Sequence, residues 1–220
     1  MNWLADFFGD AGHWSGPDGI PVRLLEHLEF SAAAFLIAAL IAVPLGMLIG
    51  HTGRGALLVV VAANAARALP TLGLLVLVVL LAGVGTVLPV LIPLVVLAVP
   101  PILVNTYEGV RGVDADLRDA AYGMGLRGRQ VLFRTLTPVA LPLILLGLRL
   151  AAIQVVSTAT VAAFVGLGGL GRFIIDGLAT KTYADVVGGA VLVAALALAV
   201  QFAFVLLDRV IVSPGVRQVR

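Results

Sequence analysis

Few residues of this chain could perform chemistry, and they lie far apart in the sequence. The 220 residues include no cysteine and three histidines, which excludes a thiolate nucleophile and a cysteine metal site. Ser157 and His51 stand alone, without a paired carboxylate or a metal-binding cluster nearby in the sequence. We therefore expect no enzyme active site, no metal and no cofactor in this chain.

Two short patterns bear on nucleotide binding, and neither predicts it. Lys181 is the one lysine and follows Thr180, so the Gly-Lys-Ser/Thr phosphate loop is absent. The run from Gly166 to Gly171 formally matches a dinucleotide fingerprint, which requires a preceding strand and a following helix. It follows a long apolar tract instead. We interpret its glycines as points where backbones approach closely or where the chain bends.

The apolar tracts contain few polar side chains. Residues 30–107 hold no Asp or Glu, whereas ion-coupled carriers usually need carboxylates or histidines inside the membrane. Arg67 and Arg149 are the arginines within these tracts. We name Arg67, Asn64 and Gln154 as candidate pathway-lining residues. The alternatives are an arginine that reaches the interface or a partner subunit, and polar side chains that hydrogen-bond between helices.

The composition indicates what kind of secondary structure contains these residues. The chain is 61% hydrophobic and 12% charged, with a mean hydropathy of +1.13. A soluble domain has about 45–50% apolar and about 25% charged residues. The charges are clustered, so that long tracts contain none. We therefore predict an all-α, polytopic membrane protein rather than a soluble enzyme.

About five transmembrane helices are predicted from the charge-poor tracts, since a bilayer core of about 30 Å requires about 20 apolar residues. Residues 55–107 would form a helix of about 80 Å, which exceeds the bilayer, so this tract must fold back. Gly83, Gly85 and Pro89 mark the turn. The predicted spans are residues 30–50, 57–82, 88–107, 143–165 and 187–207.

The distribution of arginine predicts the orientation, because cytoplasmic segments carry an excess of Lys and Arg. An odd number of spans places the termini on opposite sides. With the N-terminus outside, the outer segments contain only Arg23, Arg172 and Lys181. The inner segments then contain Arg54, Arg111, Arg118, Arg127, Arg129, Arg134, Arg209, Arg217 and Arg220.

This orientation divides the chain into three parts. Residues 1–29 are predicted to be extracytoplasmic, and Trp3 and Trp14 favour a short helix in the outer interface, with a disordered acidic tail as the alternative. Residues 30–210 form the transmembrane domain. Residues 211–220 form a cytoplasmic tail.

The cytoplasmic loop 108–137 is predicted to contain two short helices. Asp114 or Asp116 caps the first helix, and Gly123 and Gly125 end it. The second helix begins at Gln130 and stops before Pro138, because proline is disfavoured inside a helix. The loop exposes apolar residues to the cytoplasm, which indicates a partner surface.

The loop residues resemble a known signature. Asp119-Ala120-Ala121, followed by Gly125 and Pro138, is similar to the Glu-Ala-Ala, Gly, Leu-Pro pattern of membrane subunits of binding-protein-dependent ABC importers, the MetI-like family. Asp119 replaces the usual Glu, and Thr137 replaces the Leu before the proline. The resemblance covers residues 30–210 and implies a MetI-like permease core.

Further runs resemble the osmoprotectant branch of this family, which moves glycine betaine, choline, carnitine or proline betaine. They are Leu69–Leu72, Pro101–Val110, Gln130–Arg134 and Ala159–Gly171. An importer for methionine or another amino acid is the alternative, and an ion-coupled secondary transporter is a more distant one.

The resemblance also implies partners. We expect a second permease subunit, identical or related, two cytoplasmic ATP-binding subunits, an extracytoplasmic solute-binding protein and membrane lipid, but no nucleic acid. It further implies that one part of the cytoplasmic loop contacts the ATPase. These residues are Asp119, Ala120, Ala121, Gly125, Leu126 and Pro138.

Overall fold

The computed structural model describes residues 2–57, 59, 61, 64, 68, 70–83, 86–213 and 215, and none of them lies in a strand. A short 3-10 helix spans Ala11–Trp14. The helices used below are α1 (Trp3–Gly9), α2 (Ile20–Thr52), α3 (Thr71–Ala82), α4 (Leu88–Arg111), α5 (Ala115–Gly123), α6 (Gly128–Val165), α7 (Gly171–Thr180) and α8 (Tyr183–Ile211).

Four of these helices are long and apolar enough to cross a membrane: α2, α4, α6 and α8, with 33, 24, 38 and 29 residues. The fifth predicted span, residues 57–82, is different. Pro70 has an extended backbone (φ −71°, ψ 118°), and α3 begins only after it. Proline donates no amide and disfavours helical backbone before it, so it divides this tract. The 12 residues of α3 are about 18 Å long, less than a bilayer core.

α6 continues through Pro138, so the prediction that a helix stops there is wrong. Residues Val131–Leu136 form a π-helical turn in which the Thr137 amide donates to the Leu132 carbonyl. The Thr137 hydroxyl donates to the same carbonyl at 2.8 Å. The wider turn shifts the hydrogen-bond register, and Pro138 lies at the start of the α-helical segment that follows, where no amide is needed. Pro142 likewise lies inside the helix rather than before the span.

The core forms where α2, α4 and α6 pack together. α2 contributes a row of fully buried alanines, Ala34, Ala38 and Ala42. Glycines allow the backbones to approach: a Cβ on Gly46 would lie 2.7 Å from the Thr106 Cβ, and one on Gly147 would lie 2.8 Å from the Pro101 carbonyl oxygen. Small residues at such crossings are typical of membrane helices.

The N-terminal segment folds back onto α8. Phe7 of α1 is fully buried, stacks on His13 and makes an edge-to-face contact with Phe173 of α7 at 5.3 Å. Gly188 of α8 leaves room for the Phe7 ring, because a Cβ there would overlap it. The predicted short helix is therefore present, and its place at the membrane interface stays a prediction.

Candidate functional site

The loop 108–137, called the coupling segment below, contains α5. Asp114 is its N-cap residue, and the Asp114 carboxylate accepts a hydrogen bond from the Asp116 amide at 2.8 Å. Of the two residues predicted as caps, Asp114 therefore takes the role. A carboxylate at this end also interacts favourably with the helix dipole.

The other end of α5 is closed by a Schellman motif, as the two glycines predict. The Leu126 amide donates to the Ala121 carbonyl at 3.2 Å, and the Gly125 amide donates to the Tyr122 carbonyl at 2.9 Å. Gly125 has φ +81°, the left-handed conformation that this motif requires at this position. These local bonds fix where α5 stops and where the chain turns towards α6.

The signature residues divide into buried and exposed ones. Ala121 is 1% exposed and packs in an apolar cluster with Val110, Val131 and Leu136, against which Leu126 also packs. Asp119, Ala120, Gly125 and Pro138 are exposed. The small side chain of Ala121 thus lets α5 lie close to the ends of α4 and α6, while its neighbours remain available to a partner.

Large apolar side chains are exposed on the coupling segment. Leu117, Tyr122, Met124 and Phe133 are exposed, and Met124 is 75% accessible. Such a group of apolar side chains outside a packed core is typical of a protein–protein contact. The expectation that the loop presents apolar residues is confirmed in part: Phe133 of the predicted second helix is exposed, whereas Val131, Leu132 and Leu136 of the same stretch are buried.

The coupling segment is joined to two long helices. The Arg118 guanidinium donates to the Val110 carbonyl at the end of α4 at 3.2 Å. His51, near the end of α2, lies close enough to Gly128 that a Cβ there would be 3.5 Å from its Nε2 atom. α5 is therefore packed against the bundle rather than suspended from it.

Of the three candidate pathway residues, the structure describes Asn64 and Gln154. Asn64 and Gln154 are exposed, and neither has a hydrogen-bonding partner in the part of the chain that the structure describes. Arg67 lies outside the described residues. Ser157 is exposed one turn after Gln154 on α6, and Arg149 is half-buried. Pathway roles for Arg67, Asn64 and Gln154 stay predictions.

Sequence reasoning missed a polar cluster at the opposite end of the bundle. The Glu26 carboxylate accepts hydrogen bonds from the Gly169 amide at 2.8 Å and from Arg23 at 3.0 Å. Next to it, His27 is fully buried, with its Nε2 atom 2.8 Å from the Val156 carbonyl oxygen. The one local signal was the pair of polar residues directly before an apolar tract.

The glycine run after α6 supports a close approach of backbones, as predicted. Gly171 lies against the Thr160 carbonyl, and a Cβ on Gly171 would overlap it. Gly166 and Gly169 have positive φ angles of +76° and +93°, which turn the chain from α6 into α7. Over the described ranges, no group of three His, Asp or Glu side chains could hold a metal ion.

Comparison with known protein families identifies the chain. The family described as "Binding-protein-dependent transport system inner membrane component" matches residues 42–218. The chain belongs to this family. It is a multi-pass membrane permease with the MetI-like fold that its loop signature implies.

Several curated relatives match almost the whole chain. The carnitine transport permease protein OpuCB of Listeria monocytogenes is 35% identical over 220 residues, which are 100% of this chain and 98% of that protein. The glycine betaine/carnitine/choline transport system permease protein OpuCB of Bacillus subtilis (strain 168) is 35% identical over 192 residues, covering 87% and 88% of the two chains.

A solved structure has the same fold. The MetNI methionine ABC transporter in an inward-facing conformation superposes with a TM-score of 0.74 at 23% identity, over 87% of this chain and 95% of that one. At this identity the likeness concerns the fold alone. It agrees with the all-helical architecture described above.

Proposed function

We propose that this permease imports small osmoprotectants that carry a quaternary ammonium group, such as glycine betaine, carnitine, choline or proline betaine. The support is the identity of 35% with relatives named for carnitine, choline and glycine betaine transport. ATP hydrolysis takes place in a separate subunit, and the chain itself supplies the membrane pathway.

The observation that carries the coupling role is the two-faced packing of α5. Ala121 is 1% exposed and faces the bundle, whereas Leu117 and Tyr122 of the same helix are 42% and 44% exposed. An ATPase subunit that binds the exposed face pushes on a short helix whose ends are fixed by Asp114 and Gly125. A rigid helix of this kind moves as a unit, so a displacement caused by the ATPase is passed to the helices that it contacts and shifts the permease between two conformational states.

The displacement passes to the long helices through the contacts of α5. Arg118 bonds to the end of α4, and Ala121 packs in the cluster that includes Leu136 of α6. Closure of two ATPase subunits below two permeases therefore shifts the inner ends of the spans and opens the pathway to the other side. A solute-binding protein delivers the substrate on the outer side, against residues 166–185.

Substrate selectivity resides mainly in the solute-binding protein. Quaternary ammonium groups are usually held by aromatic side chains, and only 6% of this chain is aromatic. Arg67 would repel a cation, so we place it away from the ammonium group or near a carboxylate of the substrate. Arg67→Glu with unchanged uptake would remove this residue from the pathway.

Two other functions are less well supported. A methionine importer shares the fold, but the methionine transporter is 23% identical, below the 35% of the osmoprotectant permeases. A secondary transporter would need an ion site, and residues 30–107 contain no carboxylate. Uptake driven by an ion gradient in vesicles without ATP would favour the second alternative.

The test is reconstitution of the permease with its ATPase and solute-binding protein in proteoliposomes. We expect ATP-dependent accumulation of radiolabelled glycine betaine, carnitine or choline, and no accumulation with a non-hydrolysable ATP analogue. Methionine serves as the competing substrate. Accumulation of methionine alone would contradict the osmoprotectant assignment while leaving the importer class intact.

A further inference from the structure

We propose that Glu26 and His27 are positioning residues for transport. They hold the far end of α6 and the Gly168–Gly169 turn on α2, so that these elements move as one unit during the transport cycle. This inference rests on the proposed import function and concerns the end of the bundle away from the coupling segment.

Glu26 attaches the turn to α2. Its carboxylate accepts the Gly169 amide at 2.8 Å and is held by Arg23 at 3.0 Å, while Arg23 also pairs with Asp18. The turn is shaped to receive this carboxylate, because a Cβ on Gly168 would occupy the same space. A charge-assisted bond to a backbone amide is stronger than a neutral one.

His27 attaches the helix that precedes the turn. α6 changes from α-helix to 3-10 helix between Thr158 and Ala159, and a change from i→i+4 to i→i+3 bonding leaves a carbonyl without its usual amide donor. The Nε2 atom of His27 lies 2.8 Å from the Val156 carbonyl in this region. Because His27 is fully buried, no water competes for this bond.

α2 is the helix that connects the two ends of the molecule. Its 33 residues are about 50 Å long and contact both the coupling segment, at His51, and the Gly168–Gly169 turn, at Glu26. A shift of α2 therefore carries the turn with it as long as both bonds hold. If the bonds break, only apolar packing, in the cluster that includes Val155, Ala159 and Ala162, holds the far end of α6 on α2.

A reversible cross-link tests this directly, since the chain has no cysteine of its own. In the double variant Glu26→Cys/Gly168→Cys, the reduced protein lacks the bond to the turn and the oxidised protein replaces it with a disulfide. We expect uptake about tenfold below wild type when reduced, the factor that corresponds to the loss of one hydrogen bond, here a part-buried one, and recovery on oxidation. Normal uptake by the reduced protein, or a further loss on oxidation, would overturn the proposal.

Glu29→Cys is the matched control, because Glu29 is exposed on the same helix and its loss removes the same charge. It should transport as wild type under both conditions. His27→Gln retains an N–H donor and should transport better than His27→Leu, and equal uptake by the two variants would contradict the role of His27. ATPase co-purification should be unchanged in all of them.

The outcomes separate this inference from the import function itself. If wild type shows no ATP-dependent uptake, the proposed function fails. If wild type transports and the Glu26 and His27 variants transport as well as wild type does, only the positioning role fails.

Discussion

Replacing Gly125 with alanine tests whether the end of α5 is held by its backbone conformation. Gly125 has φ +81°, and a Cβ at this position would meet no atom within 4 Å. The substitution therefore introduces no clash, and its whole cost comes from the left-handed conformation. For an L-residue that cost is about 1–2 kcal/mol.

This cost converts into a loss of ATPase binding if docking requires an intact α5. A free energy of about 1–2 kcal/mol corresponds to a factor of about 5–30 in an equilibrium constant. We expect Gly125→Ala to weaken binding of the ATPase subunit by that factor. The amides of Gly125 and Leu126, which close the motif at 2.9 and 3.2 Å, should exchange with deuterium faster by a similar factor.

The affinity of the ATPase subunit is measured on a biosensor surface that carries the permease in nanodiscs. Deuterium exchange is measured by mass spectrometry of peptides from the coupling segment. Gly123→Ala is the matched control: a Cβ there also meets no atom within 4 Å, but Gly123 lies inside α5, where alanine favours the helix. Gly125→Asn should retain most of the affinity, because asparagine tolerates this conformation. Equal weakening by Gly123→Ala and Gly125→Ala would refute the reasoning.

Three further predictions concern packing and the pathway. Ala121→Glu buries a carboxylate at a position that is 1% exposed, and it should lower the free energy of unfolding by about 2 kcal/mol or more, measured as a lower Tm. Ala120→Glu, on the exposed face, should leave the Tm unchanged and weaken ATPase binding. Gly147→Val would bring a Cβ to 2.8 Å from the Pro101 carbonyl oxygen and should cost about 1–3 kcal/mol in thermal unfolding. Gln154→Leu should reduce uptake without loss of ATPase co-purification, and unchanged uptake would exclude this residue from the pathway.

Local features of the site could be predicted because they depend on neighbouring residues. Asp114 caps α5 through an amide two residues away, and the Gly125 and Leu126 amides close it through carbonyls three and five positions back. Each of these requires no knowledge of the rest of the chain.

Features that depend on hydrogen-bond register were predicted less well. The sequence predicts that a helix ends before Pro138, but α6 continues through it because the π-helical turn Val131–Leu136 shifts the hydrogen-bond register just before the proline. Pro70 was expected inside a span, but α3 begins after it. Whether proline ends, divides or remains inside a helix depends on how neighbouring helices and side chains satisfy the carbonyls it leaves unpaired.

The sequence alone determined the membrane class, most of the spans, the limits of α5 and the family signature, because these follow from composition and from interactions within a few residues. Only the tertiary structure decided that Glu26 bonds to Gly169, which is 143 positions away, and that His27 bonds to Val156 at 129 positions. Such pairs depend on how α2 packs against α6 and the turn that follows it. This packing cannot be predicted from the sequence of either helix alone. The coupling segment could therefore be predicted from the sequence, whereas the contacts of Glu26 and His27 at the far end of the bundle required the structure.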